Sequence, residues 1–273
     1  MTLTERDREA QVTEQAWLPR GVDAHRPTEA RVHDYALGGK DNYAIDRAYA
    51  HKLMSLVPGI GRPVVDNSRF ARRAIRHLRD AGIRQFLEIG CGLPRPGDVH
   101  EVAGPDAVVV YVDYDPVAVS HFQAVLPSTG PARAIRADAT RPAEVLSHPV
   151  VGEVIDFAEP VGLLTTYFFH LVTPEDDPAR ILREFREPLA SGSHLVLSHP
   201  TLDFLAEEEI AAVREVFAEL RERVTVRGRA EVAALFDGFD LLDPGVVEAP
   251  RWRPDRPYRM SAGRLLAGVG RKA

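Results

Sequence analysis

A glycine turn flanked by two acidic residues is the part of the chain best suited to bind a small polar ligand. The stretch Phe-Leu-Glu-Ile-Gly-Cys-Gly, residues 86–92, predicts a short apolar strand with the acidic Glu88 near its end. A turn at Gly90 and Gly92 follows this strand. An apolar run over residues 108–112 predicts the next strand, which ends at Asp113. Glycines allow a close backbone approach to a ligand, and two such strand tips form a nucleoside-binding edge on a parallel sheet. Asp113 is placed to accept hydrogen bonds from both ribose hydroxyls.

The residues after the turn discriminate between two nucleoside cofactors. A dinucleotide site needs a third glycine and a helix N-terminus for the pyrophosphate, but Arg95 occupies that position, between two prolines. Because proline disfavours helical geometry in the residue before it, we expect a loop here and a helix from about Asp98. Glu88 would repel a pyrophosphate and suits a cationic ligand. These features favour S-adenosylmethionine (SAM), which carries a sulfonium and an ammonium but no phosphate, over NAD. A glycine turn that serves only strand-to-helix packing is the remaining alternative.

Length and composition are those of one large α/β domain with additions. The chain has 273 residues, of which 45% are apolar and 27% are charged, as in ordinary globular proteins. Its net charge of −6 argues against a broad nucleic-acid-binding surface. No apolar run approaches the ~18 residues that suggest a membrane span. We therefore expect neither nucleic acid nor a membrane as a partner.

The N-terminus and the single cysteine favour a cytoplasmic protein. Residues 1–20 are charged and lack the apolar segment of a secretory signal. Cys91 is the only cysteine, which excludes an internal disulfide and agrees with a reducing compartment. Since Cys91 lies inside the glycine turn, we interpret it as a small residue packed under the ligand and not as a nucleophile.

Strand and helix patterns alternate along the chain, which predicts a mainly parallel sheet. Beyond the two strands above, we expect strands near residues 132–136, 161–165, 194–198 and 265–269, with a short extension at 154–156. The helices are expected after Asn42 to about 57, from a cap at 66–68 to about 81, and at 117–125, 178–189, 207–223 and 230–236. Three regions follow, namely a polar tail over 1–27, a helical cap or lid over 28–66, and a nucleoside-binding domain over 67–273.

Further strand tips supply candidates for the adenosine end of the cofactor. Tyr114 could lie against the adenine face, and the alternative is a half-exposed edge tyrosine. Asp138 could accept a hydrogen bond from the adenine amino group, with the Ala139 N–H bonded to a ring nitrogen. The alternative for Asp138 is a turn-forming aspartate. Asp115 precedes a proline and fits the cap of the following helix better than Asp113 does.

Two segments before the first core strand are candidates for the methionine end. Tyr35, Gly38, Gly39 and Lys40 could form a lid, although a plain helix–helix turn fits the same residues. The spacing of a phosphate-binding Gly-x-x-x-x-Gly-Lys loop is absent. Arg69 could pair with the cofactor carboxylate at a helix start, and the alternative is a solvated arginine.

Two histidines follow predicted central strands and are candidates for proton transfer. His170 and His199 would lie on the ligand-binding side of the sheet, where a neutral imidazole can take a proton from a hydroxyl or amine. The alternative for each is a hydrogen-bonded structural histidine. No histidine or cysteine spacing matches a metal site, so we predict no metal.

Several of these segments resemble class I SAM-dependent methyltransferases. The resemblance lies in the glycine turn with Glu88, in Asp113, in Asp138-Ala139, and in the ending Leu-Ala-Gly-Val-Gly-Arg-Lys. More narrowly, residues 31–43, which contain Gly-Gly-Lys-Asp-Asn, resemble a little-characterised actinobacterial family of predicted SAM methyltransferases. This narrower resemblance runs from about Ala30 to the C-terminus. Two positions depart from it, since Cys91 stands where Thr or Ser is frequent and Ser68 stands where an arginine is expected.

The resemblance implies a Rossmann-like, seven-stranded, mainly parallel sheet with an antiparallel last strand and an N-terminal helical cap. It also implies SAM as cofactor and a methyl transfer. We expect a small-molecule acceptor, because the surface is acidic and the cap would enclose a pocket. A non-catalytic SAM-binding protein and, less favoured, an NAD-linked oxidoreductase are the alternatives.

Overall fold

Strands and helices alternate along the described part of the chain, residues 25–57, 59–256 and 265–273, in this computed structural model. The strands are β1 Gln85–Ile89, β2 Val108–Asp113, β3 Ala132–Arg136, β4 Val161–Thr166, β5 His194–Pro200, β6 Asp240–Leu241, β7 Val247–Glu248 and β8 Leu265–Arg271. The helices are α1 Glu29–Ala36, α2 Ala44–Leu56, α3 Arg62–Asp80, α4 Val99–Ala103, α5 Pro116–Val125, α6 Pro142–Leu146, α7 Pro149–Val154, α8 Pro178–Arg186, α9 Glu207–Phe217 and α10 Arg229–Ala234. Of the expected polar tail over residues 1–27, residues 1–24 lie outside the described part of the chain.

The sheet has the order β3-β2-β1-β4-β5-β8-β6, and β7 also pairs with β8. Strands β1 to β5 are parallel, and β8 is antiparallel to β5 along its whole length. The short strands β6 and β7 therefore share the opposite edge of β8. The eight strands thus fill seven positions in the sheet, which confirms the Rossmann-like fold with an antiparallel last strand.

Helices cover both faces of the sheet, which explains why its central strands are continuous apolar runs. Helices α3, α4 and α5 pack on one face, and α6, α7, α8 and α10 pack on the other. Gly162 in β4 allows a close approach of α3, since a side chain there would meet Leu78 at 2.9 Å and Phe86 at 2.8 Å. Among the described residues, no helix is both long and apolar enough to cross a membrane.

Three predicted elements differ most from the structure in type or extent. The predicted strand extension at 154–156 is the end of α7, because Pro149 starts a helical turn that the His148 side chain caps. Helix α3 starts at Arg62 and not at Asp66, since Pro63 in the first turn is already suited to helical geometry.

Helix α9 ends at Phe217, six residues before its predicted end at Arg223. Past it, Leu220 turns inward and packs with Tyr49 of α2. The Arg221 N–H donates to the Pro27 carbonyl at 3.0 Å. Tertiary contacts here override a sequence with ordinary helix propensity.

Helices α1 and α2 form a layer with α9, which we call the cap. Its cores contain Tyr49, Val216 and Leu220 in one cluster and Val57 and Val213 in another. These clusters are separate from the two that cover the sheet. The cap is therefore built from the N-terminal segment together with the segment after β5.

One buried ion pair fixes α1 against α2. Arg31 Nε lies 2.8 Å from Asp46 Oδ2, and the two side chains are 2% and 0% exposed. Asp46 also accepts hydrogen bonds from the N–H groups of Thr28 at 3.2 Å and of Tyr43 at 2.8 Å. A single carboxylate thus holds the starts of both helices.

We expect Asp46→Asn to destabilise the protein by about 3–5 kcal/mol, because it removes the buried carboxylate charge that lies 2.8 Å from the Arg31 guanidinium. Urea denaturation measures this loss. The matched control is Asp255→Asn, whose pair with Arg76 is exposed (69% and 39%) and should cost less than about 1 kcal/mol. Equal losses in the two variants would contradict the role given to Asp46.

Candidate functional site

A cavity of about 1030 Å³ opens at the carboxyl ends of β1 to β4. Ligands of open α/β sheets bind on this side, and the volume is at the upper end of the roughly 300–1,000 Å³ typical of ligand sites. Its wall combines the strand tips with α1, the loop after it and the segment after α9. The cavity therefore has room for a nucleoside cofactor and a second small molecule.

The structure brings together most of the residues expected to bind the cofactor. The cavity is lined by Gly38, Gly90, Gly92, Asp113, Tyr114, Asp138 and Ala139. The expected site residues that do not line it are Tyr35, Arg69, Glu88, His170 and His199. The strand-tip residues were found because a parallel sheet sets their position, whereas the second group depends on helix boundaries and side-chain directions.

Asp113 holds the glycine turn in place. Its Oδ2 accepts a hydrogen bond from the Gly92 N–H at 2.9 Å, and its Oδ1 accepts one from the Asp115 N–H at 2.9 Å. Gly92 has a φ of +66°, and a Cβ there would meet nothing closer than Ala30 at 3.9 Å. Burial raises the pKa of Asp113 to about 6, although these two backbone donors lower it. Asp115 caps α5 by accepting from the Val117 N–H, as expected.

Glu88 is buried and faces the chain's own Arg95. The Arg95 Nη2 lies 3.8 Å from Glu88 Oε1, and the Arg95 Nε lies 3.6 Å from Asp98 Oδ1. The expected direct contact between Glu88 and a cationic ligand is therefore not supported, because Glu88 does not line the cavity and the Arg95 guanidinium lies against its carboxyl group. Asp98 stands at the start of α4 and accepts the Arg95 N–H at 2.8 Å, so a carboxylate lies at the helix start that a pyrophosphate would need.

One arginine, Arg95, stands between the two buried carboxyl groups of Glu88 and Asp98. Asp98 also accepts an N–H, whereas Glu88 Oε2 is buried and has no hydrogen-bond partner among the described residues. Burial raises the pKa of Glu88 to about 8, with Asp98 adding to the rise and Arg95 opposing it. Burial thus favours the protonated form of Glu88.

Tyr114 borders the cavity, with its hydroxyl bonded to the Glu222 carboxylate. Glu222 Oε2 also accepts the Glu29 N–H at 3.1 Å, and the Arg221 guanidinium lies 5.7 Å from the Tyr114 ring centre. These contacts close one side of the cavity. Sequence reasoning missed Glu222 because it placed this residue on a continuous helix.

Asp138 borders the cavity at the tip of β3 and also forms the turn that was its alternative role. Its Oδ1 accepts hydrogen bonds from the Thr140 N–H at 2.9 Å and from the Thr140 hydroxyl at 2.7 Å. The two readings are compatible, since the other carboxylate oxygen, Oδ2, has only the distant Arg141 Nε at 3.9 Å.

The Gly-Gly-Lys-Asp-Asn segment wraps around the carboxylate of Asp34. Asp34 Oδ2 accepts hydrogen bonds from the Asp41 N–H at 2.8 Å and from Asn42 Nδ2 at 2.7 Å. A Cβ on Gly39 would lie 1.9 Å from Asp34 Oδ1, so this position requires glycine. The resulting tight loop presents Gly38 and Lys40 to the cavity.

Tyr35 and Arg69 point elsewhere. The Tyr35 hydroxyl lies 2.6 Å from His51 Nε2 of α2. Arg69 is exposed on α3 and is not at a helix start, since α3 begins at Arg62. The geometry therefore favours the alternative reading of Arg69 as a solvated arginine.

Tyr167 follows β4 with an unusual backbone conformation. Its φ is +57°, in the left-handed region that non-glycine residues rarely adopt. Its N–H donates to Ser198 Oγ at 2.9 Å, and the Ser198 hydroxyl donates to Asn67 Oδ1 at 2.6 Å. Asn67 and Tyr167 both line the cavity. Asn67 was missed because it was interpreted as part of a helix cap.

His199 has both ring nitrogens engaged. Its Nδ1 lies 2.7 Å from the Pro200 carbonyl, which can only accept, so this nitrogen carries the proton. Its Nε2 then accepts from Arg227 Nη1 at 3.2 Å. Burial lowers the pKa of His199 to about 3, with His170 adding to the effect. The arrangement leaves His199 no lone pair for proton transfer, which favours the structural alternative.

His170 does not line the main cavity, but it contacts a residue that does. Its Nε2 is 3.1 Å from Glu29 Oε1, and its Nδ1 is buried without a partner. Glu29 lines the main cavity, so His170 reaches that cavity through a carboxylate. Sequence reasoning had no signal for Glu29, because it lies 141 residues earlier in the chain.

We expect Glu88→Gln to stabilise the protein at pH 8 and to have little effect near pH 5. A carboxyl group whose pKa is raised from 4.5 to about 8 on folding contributes stability at low pH and loses it as pH rises through this range. The neutral amide avoids that loss. Urea denaturation at both pH values measures the difference, and Glu215→Gln on the exposed face of α9 should change it by less than about 0.5 kcal/mol. A pH-independent effect of Glu88→Gln would contradict the protonated state.

Comparison with known families and structures identifies relatives of the whole chain. The family described as S-adenosyl methyltransferase matches residues 15–273, while the curated proteins contain no match. A crystal structure of a candidate methyltransferase from Thermobifida fusca is 37% identical, with a TM-score of 0.87 over 94% of this chain and 98% of that one. A DUF574 family protein from Streptomyces avermitilis is 34% identical, with a TM-score of 0.85 over 92% of this chain and 99% of that one.

These matches confirm the resemblance found in the sequence, and both solved relatives have nearly the same length as this chain. The cavity at the strand tips, the turn held by Asp113 and the lack of a pyrophosphate site agree with the family's cofactor. The chain belongs to the S-adenosyl methyltransferase family, and S-adenosylmethionine is its cofactor.

Proposed function

We propose that the protein transfers a methyl group from SAM to a small-molecule acceptor bound in the main cavity. The observation that carries this proposal is the Asp113 carboxylate, buried at the tip of β2 and bonded to the glycine turn at the edge of a large cavity. We further propose that residues 28–66, which contain helices α1 and α2 of the cap, act as a lid on a SAM-binding domain formed by residues 67–273.

The cavity wall fits the parts of SAM. In this proposal Asp113 would accept the ribose hydroxyls, while Tyr114, Asp138 and Ala139 would hold the adenine. The methionine end would lie along the backbone of Gly90 and Gly92. At Gly92 the nearest atom to a Cβ is 3.9 Å away, whereas the missing side chain of Gly90 makes room for Phe168. Each of these residues borders the cavity.

The charge of the wall favours a cationic cofactor. Eight carboxyl side chains line the cavity, namely Glu29, Asp34, Asp41, Asp113, Asp115, Asp138, Glu144 and Glu222. Four Lys and Arg side chains line it, namely Lys40, Arg95, Arg136 and Arg223. An acidic wall attracts a sulfonium and an ammonium and disfavours a diphosphate. The NAD-linked alternative therefore has neither a phosphate site nor a suitable field.

When bound, SAM supplies an electrophilic methyl group that is displaced in line from its sulfonium. The chain would then contribute position and exclusion of water, which can supply about 7–11 kcal/mol of a barrier. The loop around Asp34 and the closure by Glu222 would shield the reacting atoms. A base is required only for a hydroxyl or protonated amine acceptor. Of the two histidines considered, His170 is the one connected to the main cavity, through Glu29.

SAM and S-adenosylhomocysteine are expected to stabilise the protein by about 2.7 kcal/mol at a hundred times the dissociation constant. NADH at the same concentration should leave the melting temperature unchanged. Thermal unfolding with each ligand measures both effects. A shift with NADH and none with SAM would overturn the proposal.

Binding alone does not distinguish an enzyme from a SAM-binding protein without catalysis. Incubation of the protein with SAM and a cell extract, followed by mass spectrometry, separates the two. An enzyme yields a product heavier by one methylene unit that is missing with heat-denatured protein. Normal SAM binding without any such product from a range of extracts favours the non-catalytic alternative.

S-adenosylhomocysteine should bind less tightly as pH falls through about 6, the raised pKa of Asp113. The ionised carboxylate accepts the ribose hydroxyls, so protonation competes with binding, by up to about tenfold per pH unit below the pKa. Asp113→Asn should weaken binding at pH 7.5 by more than ~1.5 kcal/mol and flatten the pH dependence. Calorimetry between pH 5 and 7.5 tests this, with the exposed Asp255→Asn as control. Unchanged affinity in folded Asp113→Asn would remove Asp113 from the ribose site.

A further inference from the structure

A second cavity of about 80 Å³ lies between the cap and the start of α3, and we call it the inner pocket. Its apolar lining includes Leu53, Val64, Leu202, Phe217, Val224 and Val226. Glu29, His33 and Tyr167 line both the inner pocket and the main cavity. The two cavities therefore meet at these three side chains.

Two buried polar atoms of the inner pocket have no hydrogen-bond partner among the residues that the structure describes. They are the hydroxyl of Tyr49 and Nδ1 of His170, on side chains that are 4% and 2% exposed. Both residues line the pocket. Buried polar atoms are nearly always paired, and each unpaired one destabilises the fold. Two of them in one small apolar pocket indicate that a bound molecule completes their hydrogen bonds.

The neighbours of these atoms decide what that molecule must offer. The Glu29 carboxylate can only accept, so His170 Nε2, at 3.1 Å, carries a proton. His170 Nδ1 is then an acceptor when the ring is neutral and a donor when the ring is charged. Burial and Glu29 raise the pKa of Tyr49, so its hydroxyl stays neutral and can donate. A ligand hydroxyl suits both atoms in either state of His170, since its oxygen can accept from Tyr49 and the hydroxyl can donate to Nδ1 or accept from an Nδ1–H.

A charged ligand group does not suit this pocket. Although burial alone would raise it, His33 and His170 hold the pKa of Glu29 below its ordinary value. Both histidines lie close to the same carboxylate oxygen, at 3.0 and 3.1 Å. Glu29 is thus already paired, and the rest of the wall is mostly apolar, so an unpaired ion would be costly to bury.

We propose that the inner pocket is the recognition subsite for the methyl acceptor, and that the acceptor carries an uncharged aromatic ring with a hydroxyl group in this pocket. The proposal rests on the proposed function, since an acceptor must reach the cofactor cavity. The hydroxyl in the inner pocket is a recognition group. The atom that takes the methyl group lies on the other side of Glu29, His33 and Tyr167, in the main cavity.

The inner pocket has room for part of one ring. An apolar cavity of ~150 Å³ takes benzene, and the inner pocket has about half of that volume. The hydroxyl end of a ring therefore fits inside, and the remainder extends towards the three shared side chains. Larger ring systems with the hydroxyl in this place would have to continue into the main cavity.

Phenol and toluene test this proposal, because they have the same size and differ only in the hydroxyl. Calorimetry is done on the full chain saturated with S-adenosylhomocysteine, and methyl NMR shifts report on Leu53 and Val224. We expect phenol to bind about tenfold more tightly than toluene, the effect of completed hydrogen bonds. Phenol should shift the signals of both residues.

A pair of Tyr→Phe variants separates recognition from folding. Tyr49→Phe should reduce phenol affinity about fivefold or more, leave toluene affinity unchanged, and raise the melting temperature of the free protein. The control is Tyr111→Phe, since Tyr111 is buried, lines neither cavity and accepts the His100 N–H at 3.0 Å. This control should lower the melting temperature and leave phenol affinity unchanged.

Equal affinities for phenol and toluene, or phenol binding that Tyr49→Phe does not alter, would overturn the proposal and leave ordered water as the partner of both atoms. The affinity for S-adenosylhomocysteine in the same samples separates the two levels of inference. If that ligand binds and phenol is not preferred, only the acceptor subsite is rejected. If that ligand does not bind, the proposed function itself fails.

Discussion

A carboxylate buried at the tip of a parallel strand must find hydrogen-bond donors, and this requirement organises the cofactor end of the site. Asp113 finds two backbone N–H groups, from Gly92 and Asp115, which tie the glycine turn to the start of α5. Gly92 can offer its N–H in this geometry because its φ is +66°. The pKa of Asp113 nevertheless stays raised, so the donors do not fully offset burial. A site with further hydroxyl donors would complete the shell of this carboxylate.

The longer strands could be predicted because burial on both faces leaves a simple signal. The runs at 108–112 and 161–165 are apolar at every position except the glycine and threonine of the second, and the strands observed there extend them by one residue each. Strands β6 and β7 have two residues each, too few for a periodic pattern. Their place on the edge beside β8 depends on long-range pairing that no local pattern encodes.

Helix ends show where local signals fail. At α3 the prediction followed the capping residues Asp66 and Asn67, but Pro63 already sets the first turn. The consequence reaches the site, because Asn67 becomes a buried helix residue that accepts from the Ser198 hydroxyl. At α9 no breaker residue marks the end. The chain leaves the helix because Leu220 packs inside the cap and Glu222 bonds to Tyr114, which lies 108 residues away.

Arg95 stands where a dinucleotide site has its third glycine, and it shows what the sequence could and could not predict. The side chain at this position and the prolines beside it were sufficient to argue against a pyrophosphate site. The sequence could not show that the guanidinium would turn back towards Glu88 and Asp98. The Arg95 guanidinium therefore lies beside Glu88, at the position where the sequence predicted a cationic ligand. The acidic character of the cavity instead comes from residues of α1, of the loop after it and of the strand tips.

Glu29 links the main cavity and the inner pocket, because this one residue lines both of them. Its N–H donates to Glu222, which closes the cofactor side through Tyr114, and its carboxylate pairs with His33 and His170 on the inner side. A movement of α1 must therefore change two contacts together, namely the bond to Glu222 that closes the main cavity and the contact of Glu29 with His170. The buried pair between Arg31 and Asp46 holds that helix against α2. The stability of the cap and the geometry of both cavities thus depend on the same short helix.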